Sequence, residues 1–266
     1  MASVESGYAD VEGASLYYEL IGKGPTLVLL HGFSFDTSLW DDQIDPFSKE
    51  YRVLRYDLRG FGRSQSSDVI YTHADDLKAL LDFLKIEKVY LVGLSLGGGA
   101  AINFALMYPG IARALVLSAP SLGGFRWSTK VASAQASLHA KIREKGIEMA
   151  REIWLRQTIF RQATQNKAVS AKLREMVGRY SGWHWMRADL GRPMTPPAVE
   201  RLSEIQIPTL VLAGDSDAND QLRIAETLER GIAGARKIVL PSVGHLINLE
   251  EPAIFNNHVL EFLASV

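Results

Sequence analysis

The stretch from Lys88 to Gly99 constrains the fold of this chain more than any other. A short apolar run, Val89-Tyr90-Leu91-Val92, leads directly into Gly93-Leu94-Ser95-Leu96-Gly97, and an apolar stretch of helical character follows. This order predicts a strand, a sharp turn and a helix. Glycines two positions before and after the serine allow the strand and helix backbones to approach closely. The pattern therefore predicts an exposed Ser95 hydroxyl at the end of a strand, a candidate nucleophile.

The composition excludes several classes of function. The 266 residues are 47% hydrophobic and 22% charged, as is ordinary for a globular protein. The formal net charge is −1 and the basic residues are scattered, so we expect no nucleic-acid partner. The chain has no cysteine, so disulfides, thiolate metal sites and cysteine nucleophiles are excluded. It shows neither a secretory signal nor a membrane-length apolar run, so we expect a cytoplasmic protein without a membrane partner.

Apolar strands that alternate with helices indicate an α/β fold. Strands are predicted at 15–20, 26–30, 52–56, 89–92, 114–118, 209–213 and 235–240. Helices are predicted between and after them, including 36–48, 72–84 and 250–263. Thr72 is a candidate N-cap with Asp75 three residues on. Elements that alternate at this spacing build right-handed βαβ units, so the sheet should be mostly parallel.

The alternation is interrupted between residues 123 and 192. Charged helical segments are predicted there at 133–143, 147–162 and 168–180, and an aromatic cluster follows at Trp183, His184 and Trp185. We predict a core of residues 1–122 and 193–266, with a helical cap of residues 123–192 inserted after the sixth core strand and packed over the sheet edge. Phe35 and Trp127 are candidate residues of a substrate pocket beneath this cap.

A serine hydroxyl is a poor nucleophile at neutral pH and needs a base within hydrogen-bond reach. His245 follows the last predicted strand in Ser242-Val243-Gly244-His245-Leu246. Because parallel strands deliver their C-terminal ends to one sheet edge, His245 and Ser95 should converge there. His31 also follows a strand at this edge, but we interpret it as a structural hydrogen-bonding residue. The remaining histidines fall in predicted helices or in the cap: His73, His139, His184 and His258.

The base needs a carboxylate that accepts from its Nδ1–H and stabilises the imidazolium. Three aspartates follow the strand at 209–213, namely Asp215, Asp217 and Asp220. Asp215 directly follows Gly214 and can serve the turn itself, whereas Asp217 is better placed to reach the His245 loop. Asp217 is therefore the predicted acid, which gives the chain order Ser, Asp, His.

Five motifs in this order resemble the α/β-hydrolase superfamily, over residues 14–264. They are His31-Gly32-Phe33, Asp57-x-Arg59-Gly60-x-Gly62-x-Ser64, the Ser95 turn, Gly214-x-x-Asp217 and Gly244-His245. The resemblance implies Ser95 as nucleophile, Asp217 as acid and His245 as base. It also implies that the backbone N–H groups of Phe33 and Leu96 form an oxyanion hole, and that the turn at 57–64 is structural.

Within that superfamily the type of nucleophile excludes some classes of enzyme. Dehalogenases and epoxide hydrolases of similar length carry aspartate at this position, so Ser95 rules them out. The chain is similar to carboxylesterases, enol-lactonases of the 3-oxoadipate type, perhydrolases and carbon–carbon bond hydrolases. We therefore expect a serine hydrolase that cleaves small-molecule carboxylic esters or lactones through an acyl-enzyme.

Two alternatives remain beside this expectation. One is another reaction on the same triad, such as carbon–carbon bond hydrolysis, hydroxynitrile lysis or perhydrolysis. The other is a ligand receptor on this fold with little turnover, because a fold and a triad do not fix a function. No metal or other cofactor is expected, since the sequence has neither His-Glu-x-x-His nor a phosphate-binding glycine loop. The sequence leaves the oligomeric state open, with a homo-oligomer among the options.

Overall fold

The fold is built on one sheet of eight strands, seen in a computed structural model that describes residues 4–66, 68–129, 146–187 and 190–266. The strands are β1 (Val4–Val11), β2 (Ala14–Ile21), β3 (Thr26–Leu30), β4 (Arg52–Tyr56), β5 (Val89–Leu94), β6 (Ala112–Ser118), β7 (Thr209–Gly214) and β8 (Arg236–Leu240). Their order across the sheet is β1-β2-β4-β3-β5-β6-β7-β8. The first two pairings are antiparallel and the other five are parallel, so the prediction of a mostly parallel α/β sheet is confirmed.

Helices flank this sheet. They are α1 (Asp41–Phe47), α2 (His73–Phe83), α3 (Leu96–Met107), α4 (described over 146–155), α5 (Lys167–Arg179), α6 (Trp183–Met186), α7 (Asn219–Gly231), α8 (Ile247–Glu250) and α9 (Pro252–Ala264). Helix α3 packs on β5 and α7 packs on β7. Thr72 caps α2, because its Oγ1 accepts from the Asp75 N–H at 3.0 Å. Within the described residues no helix has both the length and the apolar character needed to cross a membrane.

The structure differs from the sequence prediction in three places. Strand β1 was not predicted, because it is a largely exposed, polar strand held by its pairing with β2 rather than by an apolar face. The helix predicted over 147–162 ends at residue 155, and two short 3-10 turns follow, Thr158–Phe160 and Ala163–Gln165. The closing helix predicted over 250–263 is α9, which starts at Pro252, and the short helix α8 before it was not predicted. The helix predicted over 133–143 lies outside the described residues.

Residues 119–208 connect β6 to β7, and we call them the intervening segment. Its described residues include α4, α5 and α6. Two ion pairs join α5 to the loop and helix that follow β3: Arg179 lies 3.0 Å from Asp36, and Lys172 lies 2.7 Å from Asp42. Its description as a cap over a substrate pocket remains a prediction.

A network of buried charges holds the turn after β4. Asp57 is fully buried and accepts the Thr37 N–H at 2.6 Å and the Arg63 N–H at 2.8 Å. Arg59 and Asp76 form a buried ion pair with two hydrogen bonds, of 2.5 and 2.9 Å, and their side chains are 1% and 4% exposed. These contacts fix the turn between β4 and α2.

Replacement of Asp76 with Asn should strongly destabilise the protein. The variant leaves the buried Arg59 guanidinium without a counter-charge, which typically costs about 3–5 kcal/mol. Urea unfolding followed by circular dichroism measures the loss. Asp82→Asn is the matched control, because Asp82 pairs with Lys78 on the same helix but is 63% exposed, and it should cost less than about 1 kcal/mol. Equal stabilities of the two variants would contradict a stabilising role for the Arg59–Asp76 ion pair.

Candidate active site

Ser95 lies at a sharp turn between β5 and α3. Its backbone has φ 53° and ψ −112°, a conformation that residues other than glycine rarely adopt. Three backbone hydrogen bonds hold it there: the Ser95 N–H donates to the Ser118 carbonyl at 3.0 Å, and the Ser95 carbonyl accepts from Gly99 and Ser121 at 3.0 and 2.9 Å. The Ser95 residue is half-buried, at the C-terminal edge of the sheet. A strained residue held this way is a hallmark of a functional turn.

The glycines around Ser95 are required by close backbone contacts. A Cβ on Gly93 would collide with the Gly97 carbonyl, and a Cβ on Gly97 would collide with the Leu30 carbonyl oxygen at the end of β3. A Cβ on Gly98 would lie 2.6 Å from the Pro120 side chain. The N-terminus of α3 therefore crosses directly over the ends of the neighbouring strands, which explains the glycine-rich sequence.

His245 and Asp217 meet at the same edge of the sheet. His245 follows β8 and Asp217 follows β7, and the His245 Nδ1 lies 2.7 Å from the Asp217 Oδ2. The histidine is 2% exposed and the aspartate is 7% exposed, so their contact is almost inaccessible to solvent. Asp217 Oδ1 also accepts the Ala218 N–H at 2.6 Å, which fixes the carboxylate orientation.

The other two aspartates of this turn have different partners. Asp215 Oδ1 accepts the Ser242 N–H at 2.8 Å and so joins the turn after β7 to the turn after β8. Asp220 accepts both the N–H and the hydroxyl of Ser128, at 3.0 and 2.7 Å, and thereby anchors the beginning of the intervening segment. Of the three candidates, Asp217 is the one that contacts His245.

Glu250 holds the His245 loop from the other side. Its carboxylate accepts the N–H groups that flank the histidine, Gly244 at 2.7 Å and Leu246 at 3.0 Å. Burial raises the pKa of this carboxyl, and the charge of Asp217 adds to the effect. Glu250 was not predicted from the sequence, although a glutamate five residues after the histidine, just before a helix that starts with proline, was a usable signal.

The environment of His245 favours its charged form. Burial of the imidazole lowers its pKa, but the charge of Asp217, the hydrogen bond to Asp217 and the charge of Glu250 act in the opposite direction. The balance raises the pKa of His245 above its ordinary value. Such a histidine can accept a proton and hold it as an ion pair.

The two residues named for the oxyanion hole follow neighbouring parallel strands. Leu96 is the first residue of α3, where a backbone N–H has no acceptor in its own helix and the helix end favours negative charge. Phe33 follows β3, which is the parallel neighbour of β5. A Cβ on Gly32 would lie 3.5 Å from the Leu94 side chain, so the Phe33 loop packs against the end of β5.

An aromatic cluster surrounds the Phe33 ring. Its members lie with ring centroids 5.3 to 5.9 Å from that ring: Phe61, Trp154, Tyr180, His184 and Trp185. Four of its five members are buried and Trp154 is half-buried, and Trp154, Tyr180, His184 and Trp185 come from the intervening segment. The segment therefore packs directly on the loop that follows β3.

The two pocket candidates have their ring contacts with other residues. Phe35 is buried, with its ring 6.2 Å from that of Phe160, and Trp127 is half-buried with its ring 5.5 Å from that of Phe125. No ring contact among the described residues joins either of them to Phe33. Their role in a pocket remains a prediction.

His31 and His184 have structural partners. His31 is fully buried; its Nε2 accepts the Leu58 N–H at 2.9 Å, which leaves Nδ1 to donate to the Gly32 carbonyl at 2.8 Å. Burial lowers the pKa of His31, in keeping with a neutral ring. His184 stacks on Phe61 at 4.2 Å, and its Nδ1 lies 2.8 Å from the Tyr180 hydroxyl.

Comparison with known proteins identifies the family. The model of the Alpha/beta hydrolase family matches residues 27–258, so the chain belongs to this family and is a hydrolase. A 2-hydroxy-6-oxononadienedioate/2-hydroxy-6-oxononatrienedioate hydrolase of Paraburkholderia phymatum is 30% identical, over 93% of this chain and 90% of the relative. Carboxylesterase YbfK of Bacillus subtilis is 28% identical, over 90% of this chain and 80% of the relative.

A solved structure extends the likeness to the whole fold. The enol-lactonase of Burkholderia xenovorans LB400 superposes with a TM-score of 0.78 and is 28% identical, covering 97% of this chain and all of that one. The resemblance to the α/β-hydrolase superfamily and its fold is thus confirmed, and the similar proteins include a carboxylesterase, an enol-lactonase and a 2-hydroxy-6-oxononadienedioate hydrolase.

Replacement of Glu250 with Gln should lower the pKa of His245. The negative charge of Glu250 favours the imidazolium, so its removal makes His245 titrate at lower pH than in the wild type. NMR titration of the histidine ring measures the shift. Glu251→Gln is the control, because Glu251 is the exposed neighbour and its loss should leave the titration unchanged. A His245 titration that does not move in Glu250→Gln would refute the charge coupling.

Proposed function

We propose that this chain is a serine hydrolase that cleaves uncharged carboxylic esters or lactones through an acyl-enzyme on Ser95. The observation that supports it most is the geometry of one sheet edge. A serine in a strained conformation at the β5–α3 turn lies at the same edge as a buried histidine that is paired with a buried aspartate at 2.7 Å. This is the set of groups that acyl transfer requires.

In this proposal each group has a separate task. Asp217 occupies Nδ1 of His245, which leaves Nε2 to take the proton of the Ser95 hydroxyl. No hydrogen bond joins Ser95 to His245 among those of the described residues. We expect this contact to form when substrate binds, because catalytic hydrogen bonds are often long in free enzymes. The serine oxygen then adds to the carbonyl carbon, and the N–H groups of Phe33 and Leu96 stabilise the oxyanion.

The second half of the reaction releases the acid. Collapse of the tetrahedral adduct expels the alcohol, which takes its proton from His245. The same histidine then removes a proton from water, and the resulting attack frees the acid and restores the Ser95 hydroxyl. The raised pKa of His245 supports this role, because the imidazolium must be stabilised in both steps.

The surroundings of Phe33 support an apolar substrate. The intervening segment brings aromatic side chains to this loop, and two of its cations near the site are already paired with carboxylates: Arg179 with Asp36, and Lys172 with Asp42. An aromatic surface favours an uncharged acyl group over a carboxylate. Residues 123–192 would then be the cap that selects the substrate, with Phe35 and Trp127 as further pocket residues.

Carbon–carbon bond hydrolysis is the second candidate. The 30% identical hydrolase from P. phymatum is named for a dicarboxylate substrate, a 2-hydroxy-6-oxononadienedioate. The proposed triad could equally hydrolyse a carbon–carbon bond of such a substrate. Activity on a 2-hydroxy-6-oxo dienoate but not on esters would favour this alternative. A ligand that binds tightly without turnover would instead favour a receptor.

Replacement of Ser95 with Ala should abolish ester hydrolysis. The wild type and the variant are compared on p-nitrophenyl esters of two to eight acyl carbons and on simple lactones, with release of p-nitrophenol or acid as the readout. We expect turnover by the wild type and a loss of at least about a thousandfold in the variant, because the covalent step is removed. A wild type that is inert on the whole series would rule out the ester and lactone proposal.

Replacement of Asp217 with Asn should lower kcat by about a thousandfold or more, because an amide cannot stabilise the imidazolium and favours the wrong tautomer of His245. Asp215→Asn is the matched control on the same turn. Its Oδ1 can still accept the Ser242 N–H, so kcat should stay within about threefold of the wild type. Equal losses in the two variants would show that the turn, rather than the Asp217 charge, supports activity.

A further inference from the structure

A hydrogen bond connects the intervening segment to the loop that follows β3. The indole Nε1–H of Trp154, in α4, donates to the Ser34 hydroxyl at 2.7 Å. Ser34 is fully buried and has φ 68°, in the left-handed region that a serine rarely occupies. A strained and buried residue keeps its conformation only when its surroundings hold it. Trp154 supplies one of these contacts from 120 residues away.

Trp154 also contacts the neighbouring residue. Its ring meets the Phe33 ring nearly edge-on, with centroids 5.3 Å apart and an interplanar angle of 66°. The indole is itself supported by Phe160 at 5.4 Å and Trp185 at 6.0 Å. One side chain therefore contacts both Phe33 and Ser34, and its own position is fixed by packing.

We propose that Trp154 is a positioning residue of the oxyanion hole, which holds the Phe33 N–H in place through Ser34 and the Phe33 ring. This inference rests on the proposed function, because it concerns the N–H group that would stabilise the oxyanion. It makes the intervening segment part of the catalytic apparatus: α4 sets the direction of a hydrogen-bond donor as well as enclosing the substrate.

Catalysis is sensitive to the position of oxyanion-hole donors, so a displaced Phe33 N–H should change kcat measurably. Complete loss of one donor typically lowers kcat by about 10²–10³-fold, and donors must be held to within about 0.5 Å of the productive position. Loosening the Phe33 loop without removing its N–H should cost less, on the order of tenfold in kcat. KM should change little, because the donor stabilises the transition state more than the bound ester.

The test uses Trp154→Phe, Ser34→Ala and the double variant of the full chain. Each is assayed for kcat and KM on the best p-nitrophenyl ester, and for affinity for butylboronic acid. The boron of that acid bonds the Ser95 oxygen as the hydroxyl proton passes to His245, and the tetrahedral adduct mimics the oxyanion. Trp183→Phe is the control, since Trp183 is a tryptophan of the same segment whose described ring contact is with His184 rather than Phe33.

We expect Trp154→Phe and Ser34→Ala each to lower kcat and boronic acid affinity by about tenfold, with KM within twofold. The double variant should lose no more than either single variant, because both remove the same contact. Trp183→Phe should keep kcat and KM within twofold. If Trp154→Phe fails to fold, Ser34→Ala still tests the contact, because it leaves the indole packing intact.

If the wild type is active, three results would overturn the positioning role of Trp154 and leave the proposed function intact. They are an unchanged kcat in both single variants, a rise in KM with kcat retained, and losses that multiply in the double variant. A wild type that neither hydrolyses esters nor binds the boronic acid would instead overturn the proposed function, and the inference with it.

Discussion

The crossing of β5 and α3 at Ser95 is the constraint on which the site depends. The helix starts so close to the strand ends that side chains on Gly93 or Gly97 would collide with backbone carbonyl groups. A turn this tight forces Ser95 to a positive φ, and the surrounding parallel strands hold it there through hydrogen bonds to β6 and to α3. The rigid sheet and the tight turn therefore hold the Ser95 hydroxyl in a fixed position.

The buried charges are arranged around His245 rather than around Ser95. Asp217 bonds one ring nitrogen, and Glu250 bonds the two backbone N–H groups beside the histidine. Two carboxylates close to one imidazole offset the cost of burying its charge, which is the condition for a base that must become a cation during each cycle. The Asp215 carboxylate also accepts a backbone N–H from Ser242, which joins the turns after β7 and β8.

Much of this could be predicted from the sequence, and the exceptions have physical causes. The continuous apolar runs of β3 and β5 and the glycines around Ser95 are local signals, so the α/β sheet and the turn were predictable. The exposed strand β1 was not, because its hydrogen bonds to β2 are invisible in an apolar pattern. The spacing after β7 favoured Asp217, and in the structure it lies against His245. The contact of Trp154 with Ser34 had no signal, because tertiary packing alone brings together residues 120 positions apart.

The role of Ser95 as the nucleophile is tested by covalent labelling of the wild type with a fluorophosphonate, followed by intact-mass measurement and peptide mapping. We expect one phosphonyl group per chain, on Ser95, with the Ser95 oxygen bonded to phosphorus, fluoride expelled and the hydroxyl proton taken by His245. Labelling should slow markedly when His245 is replaced by Ala, because the hydroxyl then lacks its base. An unlabelled chain, or a label on a different serine, would contradict the assignment of Ser95 as the nucleophile.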